Sequence, residues 1–174
     1  MKTPEKIVMV PLEKVTLDGK DIALGMERAQ VEVLLGAGTV SGSRSFYFDS
    51  ELRIDYDENG RVEFVEFLGG ACGKLKPEIF GVSAFDAEVN QLYKLLAGEN
   101  GGDIEDEENG YSYAFRRLGV GVYREMKPED VSDCVRAMLS QSLSAEGDPE
   151  IARMQEEASH WCTIGMGGAE YYRP

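Results

Sequence analysis

The segment Leu52-Arg53-Ile54-Asp55-Tyr56-Asp57-Glu58-Asn59-Gly60-Arg61-Val62-Glu63-Phe64-Val65-Glu66-Phe67 admits two readings, and the choice between them decides the fold. In the first it is a β-hairpin. Leu52–Tyr56 alternates with period two, Val62–Phe67 is rich in β-branched and aromatic residues, and Asn59-Gly60 lies between them. That dipeptide suits a type I′ turn, which needs positive φ at both central residues. In the second reading the segment is a calcium loop. Asp55, Asp57, Asn59, Gly60 and Glu66 match the EF-hand spacing, with Val62 at the apolar eighth position. An EF-hand needs a helix on each side. Here Ser45-Phe46-Tyr47-Phe48 before the loop is strand-like, and Gly69-Gly70 come within four residues of Glu66. The hairpin is therefore expected, with Asp55, Asp57, Asn59 and Glu66 as strand and turn residues. Neither a metal nor any other cofactor is expected.

Upstream, residues 25–36 read as a short helix, with Ala29/Val33 and Val31/Leu35 as (i, i+4) pairs and Gly36 and Gly38 ending it. With strands at 45–48, 52–56 and 62–67, residues 25–68 give one helix followed by three strands. Gly69, Gly70, Gly73 and Pro77 mark a connector. The order then recurs. Ser83 is the expected N-cap of a helix over 84–97, striped by Phe85, Val89, Leu92, Leu95 and Leu96. Strands follow at 111–115 and 120–123. Helices are expected over 128–143 and over 149–158, the second capped by Asp148-Pro149. A last strand runs from Trp161 to Met166. The expected fold is α+β, one domain over 1–174. Its antiparallel sheet is expected to be built from two tandem α-β-β-β units at 22–68 and 78–166, with a helical insertion at 128–158 before the last strand; because the two halves share order but little residue identity, the alternative is an α+β fold without internal symmetry. The first fifteen or so residues alternate weakly, as a strand or a lead-in.

Charge narrows function. The 174 residues hold 18 Lys+Arg against 32 Asp+Glu, a net −14. Such a surface repels phosphate backbones and anionic bilayers, so neither nucleic acid nor a membrane is an expected partner; a basic protein is. No stretch reads as a transmembrane helix or a secretory signal, and the three cysteines, Cys72, Cys134 and Cys162, form no CxxC pair. A cytoplasmic chain with reduced thiols is expected, with Cys134 and Cys162 buried as small apolar groups.

Three groups stand out chemically. Residues 103–108 carry five carboxylates, Asp103, Glu105, Asp106, Glu107 and Glu108, with no base anywhere in 99–110. They read as a solvated loop or as a patch that steers a cationic partner. Tyr171 and Tyr172 follow Gly165, Gly167 and Gly168, which loosen the final residues, so both rings are expected at a protein interface. His160 is the only histidine, and any Ser-His-Asp or Cys-His arrangement must use it. Cys162 shares its strand face at about 6–7 Å, too far for a nucleophile–base hydrogen bond. No catalytic residues are expected.

The stretch Ile22-Ala23-Leu24-Gly25-Met26-Glu27-Arg28-Ala29-Gln30-Val31, with Leu34-Leu35-Gly36, resembles the opening of β-lactamase inhibitory protein repeats; small outer-membrane assembly lipoproteins open similarly. The resemblance implies a helix beginning at Gly-Met, an antiparallel sheet after it, and duplication of that unit. The second half, through Phe80-Gly81-Val82, Tyr111-Ser112-Tyr113-Ala114-Phe115, Leu118-Gly119-Val120-Gly121-Val122-Tyr123-Arg124 and Thr163-Ile164-Gly165-Met166, is similar to uncharacterised cytoplasmic bacterial proteins of the toxin-immunity kind. That likeness implies a protein-binding role. The expected function is an acidic cytoplasmic inhibitor or immunity protein, not an enzyme. The alternative is a small-ligand-binding protein, or an enzyme of unknown reaction, with a pocket between the sheet and the helical insertion.

Overall fold

A computed structural model describes every residue except Met1, Glu107, Ser142, Leu143, Ala145 and Pro174. The chain opens with strands β1 (Ile7–Val10), β2 (Lys14–Leu17) and β3 (Lys20–Ala23), then helix α1 (Arg28–Leu35). A meander follows: β4 (Thr39–Ser41), β5 (Arg44–Tyr47), β6 (Leu52–Tyr56) and β7 (Val62–Phe67). The second half begins with β8 (Pro77–Ile79), β9 (Val82–Ser83) and α2 (Val89–Asn100), and continues with β10 (Ile104–Glu105), β11 (Ser112–Phe115) and β12 (Val120–Tyr123). Helices α3 (Pro128–Ser140) and α4 (Pro149–Ser159) precede the last strand, β13 (Thr163–Gly167).

The fold is α+β with two sheets. Five strands pair in the order β3-β2-β1-β8-β9, where β1·β8 is parallel; eight pair in the order β10-β11-β12-β13-β7-β6-β5-β4, antiparallel throughout. The residues facing the helices alternate strictly. Leu52, Ile54, Val65, Phe67, Ile164, Met166, Val120 and Val122 join one core with Val31 and Leu35 of α1, Leu92 and Leu96 of α2, and Ile7, Met9, Val15, Leu17, Ile22 and Ile79 of the smaller sheet. The smaller sheet and α1 and α2 thus cover one face of the larger sheet. Trp161 is fully buried and donates its indole N–H to the Val89 carbonyl at 3.3 Å, tying β13 to the start of α2. Helices α3 and α4 pack on each other around a separate small cluster of Val131, Ile151 and Ala158.

Several expectations need correction. Each helix is followed by four strands rather than three, because short outer strands, β4 and β10, close each meander. Helix α2 starts at Val89, not Ala84; the Ser83 hydroxyl donates to Asp86, and 84–87 make a tight turn after the strand. Asn59-Gly60 does not form a type I′ turn. Gly60 alone has positive φ, and the Gly60 N–H donates to the Asp57 carbonyl across a type I-like turn. Asp57 Oδ1 accepts from the Asn59 and Arg61 N–H groups, which holds that geometry. The type I′ turns lie elsewhere, at Asp18-Gly19 between β2 and β3 and at Phe80-Gly81 between β8 and β9. Cys134 and Cys162 are half-buried rather than buried, and Cys72 is exposed. The expected helix end at Leu143 lies outside the described residues.

The glycines of β12 and β13 are packed, not loose. Gly165 lies beneath the Phe64 ring, and a Cβ there would collide with it; Gly98, within α2, meets nothing within 4 Å. Opposite effects follow from the same chemistry. Gly165→Ala is expected to destabilise by about 1–3 kcal/mol through overpacking. Gly98→Ala is expected to stabilise by about 0.5–1 kcal/mol through helix propensity. Urea denaturation midpoints of the two variants check both signs.

Candidate functional site

The face of the large sheet turned away from α1 and α2 carries the chemistry. One cross-strand row crosses all eight strands: Glu105, Ala114, Gly121, Gly165, Glu66, Arg53, Phe46 and Thr39. Between Glu105 and Glu66 the row holds only Ala-Gly-Gly, so the space above the sheet there is left for side chains from elsewhere. A neighbouring row, Ser112, Tyr123 and Thr163, forms one bank. The other bank is aromatic. Phe64 lies over Gly165, Tyr171 over Gly167 and Tyr172 over Gly121. Tyr171 stacks on Phe64 at 4.3 Å with 6° between planes, and Tyr172 meets both rings edge-on. Phe64 is only 4% exposed although it faces away from the main core, because the final residues of the chain fold back across it.

The resulting pocket has a volume of about 240 Å³ and includes Glu66, Glu105, Ser112, Tyr113, Gly121, Tyr123, Thr163 and Tyr172 in its lining. Among the described residues no Lys, Arg or His lines it. Glu66 is held on two sides: one oxygen accepts from the Thr163 hydroxyl at 3.0 Å and the other pairs with Arg53 at 2.9 Å. Arg53 also pairs with Asp55 at 3.0 Å, and Arg44 lies 3.5 Å from Asp55, completing a chain of alternating charge. Burial pushes the Glu66 carboxyl above its ordinary range, against Arg53 and Thr163, which pull it down. The phenols of Tyr113, Tyr123 and Tyr172 are likewise pushed up, in each case first by burial. Asp106 acts on Tyr113, Glu125 and Glu108 act on Tyr123, and Glu66 acts on Tyr172 along with its neighbour Tyr171.

The acidic run is partly compensated, contrary to the count along the chain. Arg116, outside the run, pairs with Glu105 at 2.5 Å and lies 3.6 Å from Asp103. Asp106 accepts from the Gly110 N–H, Glu108 is exposed, and Glu107 lies outside the described residues. Glu105 and Tyr172 come together in the pocket, whereas Tyr171 is stacked beside it and 38% exposed. Of the calcium-like pattern, Asp55 and Glu66 share Arg53 on the outer face while Asp57 is committed to its turn. His160 Nδ1 lies 3.0 Å from the Glu156 carbonyl. A separate hollow of about 280 Å³, between the start of α2 and the α3–α4 pair, is lined by Glu88, Arg124, Glu129 and Ser159 among others. Among the described residues no group of three His, Cys, Asp or Glu could hold a metal ion. No helix among them is long and apolar enough to cross a membrane.

Sequence reasoning missed the floor of the pocket. Its signal was present as two Gly-x-Gly pairs, Gly119-Val120-Gly121 and Gly165-Met166-Gly167, each alternating with a core residue. Comparison with protein-family profiles, with curated proteins and with solved structures yields no match.

Two outcomes test this geometry. Glu66 has a raised folded pKa, so its contribution to stability is fully present below the ordinary carboxylate value and is lost as pH rises through the raised one. The stability of the natural chain minus that of Glu66→Gln should therefore fall as pH rises above the ordinary glutamate value of about 4.3. A difference that grows with pH would mean that the Arg53 pair outweighs burial. Melting temperatures in millimolar calcium and in chelator should agree to about a degree or two, since only a ligand of the native state would raise them.

Proposed function

We propose that this chain is an acidic inhibitor of the toxin-immunity kind, acting in the cytoplasm, which engages a basic protein through the outer face of its large sheet. The observation that carries the reading is convergence: Glu105 of the acidic run and Tyr172 of the final residues, far apart in sequence, line one pocket. The net charge of −14, and a lining with no basic side chain among the described residues, support a cationic counterpart. Toxin nucleases grip nucleic acid with basic surfaces, and an acidic inhibitor offers them a similar polyanion. Free thiols at all three cysteines suit a reducing compartment.

The same reading takes the chain as two tandem units of the β-lactamase-inhibitor type. Its support is the shared order of a hairpin with a type I′ turn, a helix and a four-stranded meander, present once before Phe67 and once before Gly167. Glu27 and Glu88 precede the two helices, and Val31/Leu35 and Leu92/Leu96 occupy like positions facing the core.

The test is kinetic. With a basic partner isolated from the native host, the association rate should fall about tenfold or more from low salt to half-molar salt, because exposed charges are screened beyond about 8 Å already at physiological ionic strength. Neutralising Asp106, Glu107 and Glu108 to Asn or Gln should slow association more than it speeds dissociation. An association rate indifferent to both salt and substitution would reduce the acidic run to a solvated connector.

A further inference from the structure

We propose that the pocket on the outer face of the sheet is a reader of a single arginine side chain on the basic partner, with the guanidinium set against the Glu66 carboxylate and between the rings of Tyr123 and Tyr172. The inference rests on the protein-binding reading and names its point of contact. Size comes first. A volume of about 240 Å³ is below the roughly 300–1,000 Å³ of pockets that hold drug-sized ligands, and it suits one side chain.

Shape and chemistry select the group. Gly165 and Gly167 are covered by the Phe64 and Tyr171 rings, so the open floor is the short stretch at Ala114 and Gly121 beside Tyr172, and the phenols of Tyr113, Tyr123 and Tyr172 in the lining supply aromatic surface to a planar cation. Every hydrogen-bonding side chain in the lining, namely the two carboxylates and the hydroxyls of Ser112, Thr163 and the tyrosines, can accept, and none is a fixed cation. Guanidinium presents five donors in a planar fork, which matches such a lining better than the point charge of an ammonium. Glu66 has lone pairs beyond the two used by Thr163 and Arg53, because a carboxylate offers about four acceptor sites. A cation beside it would also offset the burial that raises its pKa. The carboxylates of Asp106, Glu108 and Glu125 act on Tyr113 and Tyr123 from the β10–β12 side, while Arg124 opposes them at Tyr113, Arg53 opposes Glu66 at Tyr172, and Arg53 and Arg116 pair with the two lining carboxylates from outside the lining.

The experiment is calorimetric titration of the full chain with Nα-acetyl-L-arginine amide, beside the citrulline and lysine counterparts of that probe. Saturable binding of the arginine probe is expected, with a dissociation constant of about millimolar order for a single side chain. The neutral citrulline probe should bind about tenfold or more weakly, and the lysine probe several-fold more weakly. Glu66→Gln should cost about tenfold in affinity. Because that variant also touches Arg53, Tyr123→Leu is the second probe: it removes an exposed ring, leaves the ion pairs alone, and should cost several-fold. Binding of the citrulline or lysine probe equal to that of arginine overturns the proposal, as does no saturable arginine binding or an affinity unchanged in both variants. A chain that binds the arginine probe but meets its partner at a salt-independent rate loses the protein-binding reading alone. Salt-dependent association without probe binding removes the arginine pocket alone.

Discussion

The outer face depends on the pairing of β7 with β13. Its register sets Ile164 opposite Phe67, Gly165 opposite Glu66, Met166 opposite Val65 and Gly167 opposite Phe64. Residues on a strand alternate between faces, so this one alignment sends Val65, Phe67, Ile164 and Met166 into the common core and leaves Gly165 facing Phe64 and Gly167 facing Tyr171. A slip of β13 by one residue would bring Gly165 and Gly167 inside and turn Ile164 and Met166 outward, so core burial fixes the register strongly. The seam joins the last strands of two meanders distant in sequence. It therefore builds the sheet, the floor of the pocket and the seat of the final residues together.

Charge on this face is arranged rather than scattered. Arg44, Asp55, Arg53, Glu66 and Thr163 form a line across β5, β6, β7 and β13, with Arg53 shared by two carboxylates and set 5.5 Å over the Phe64 ring. Burying such pairs costs about as much desolvation as their attraction returns, so their consequence here is geometric: they fix Glu66 at the edge of the pocket. On the opposite edge Arg116 does the same for Glu105. The net −14 of the chain surrounds a pocket whose carboxylates are already positioned, the condition under which steering and short-range recognition reinforce each other.

Much of the fold was legible because its signals are local. The hairpin through Asn59-Gly60, the meander strands and the Asp148-Pro149 helix start follow from periodicity and turn chemistry, and Asp148 does accept from the Glu150 and Ile151 N–H groups. What escaped was non-local or very short. β4 and β10 have three and two residues, too few to show a period. The smaller sheet needs β1 beside β8 across some seventy residues of chain, and no local pattern announces a parallel pair. At the pocket, the acidic run and the tyrosine pair were visible as compositions, but their meeting was not. Gly165 and Gly167 suggested slack, whereas they are the spaces into which the Phe64 and Tyr171 rings fit. A glycine alternating with core residues is informative once two such strands are known to be neighbours, and that neighbourhood is set by the seam.

The most direct test of the account is amide chemical-shift mapping of the isotope-labelled chain during titration with Nα-acetyl-L-arginine amide. Perturbations are expected that saturate together and centre on Glu66, Glu105, Gly121, Tyr123, Thr163 and Tyr172, residues of the pocket lining. Perturbations centred instead on the groove between α3 and α4, around Val131, Val135 and Ala158, or spread over the acidic surface without saturation, would contradict it.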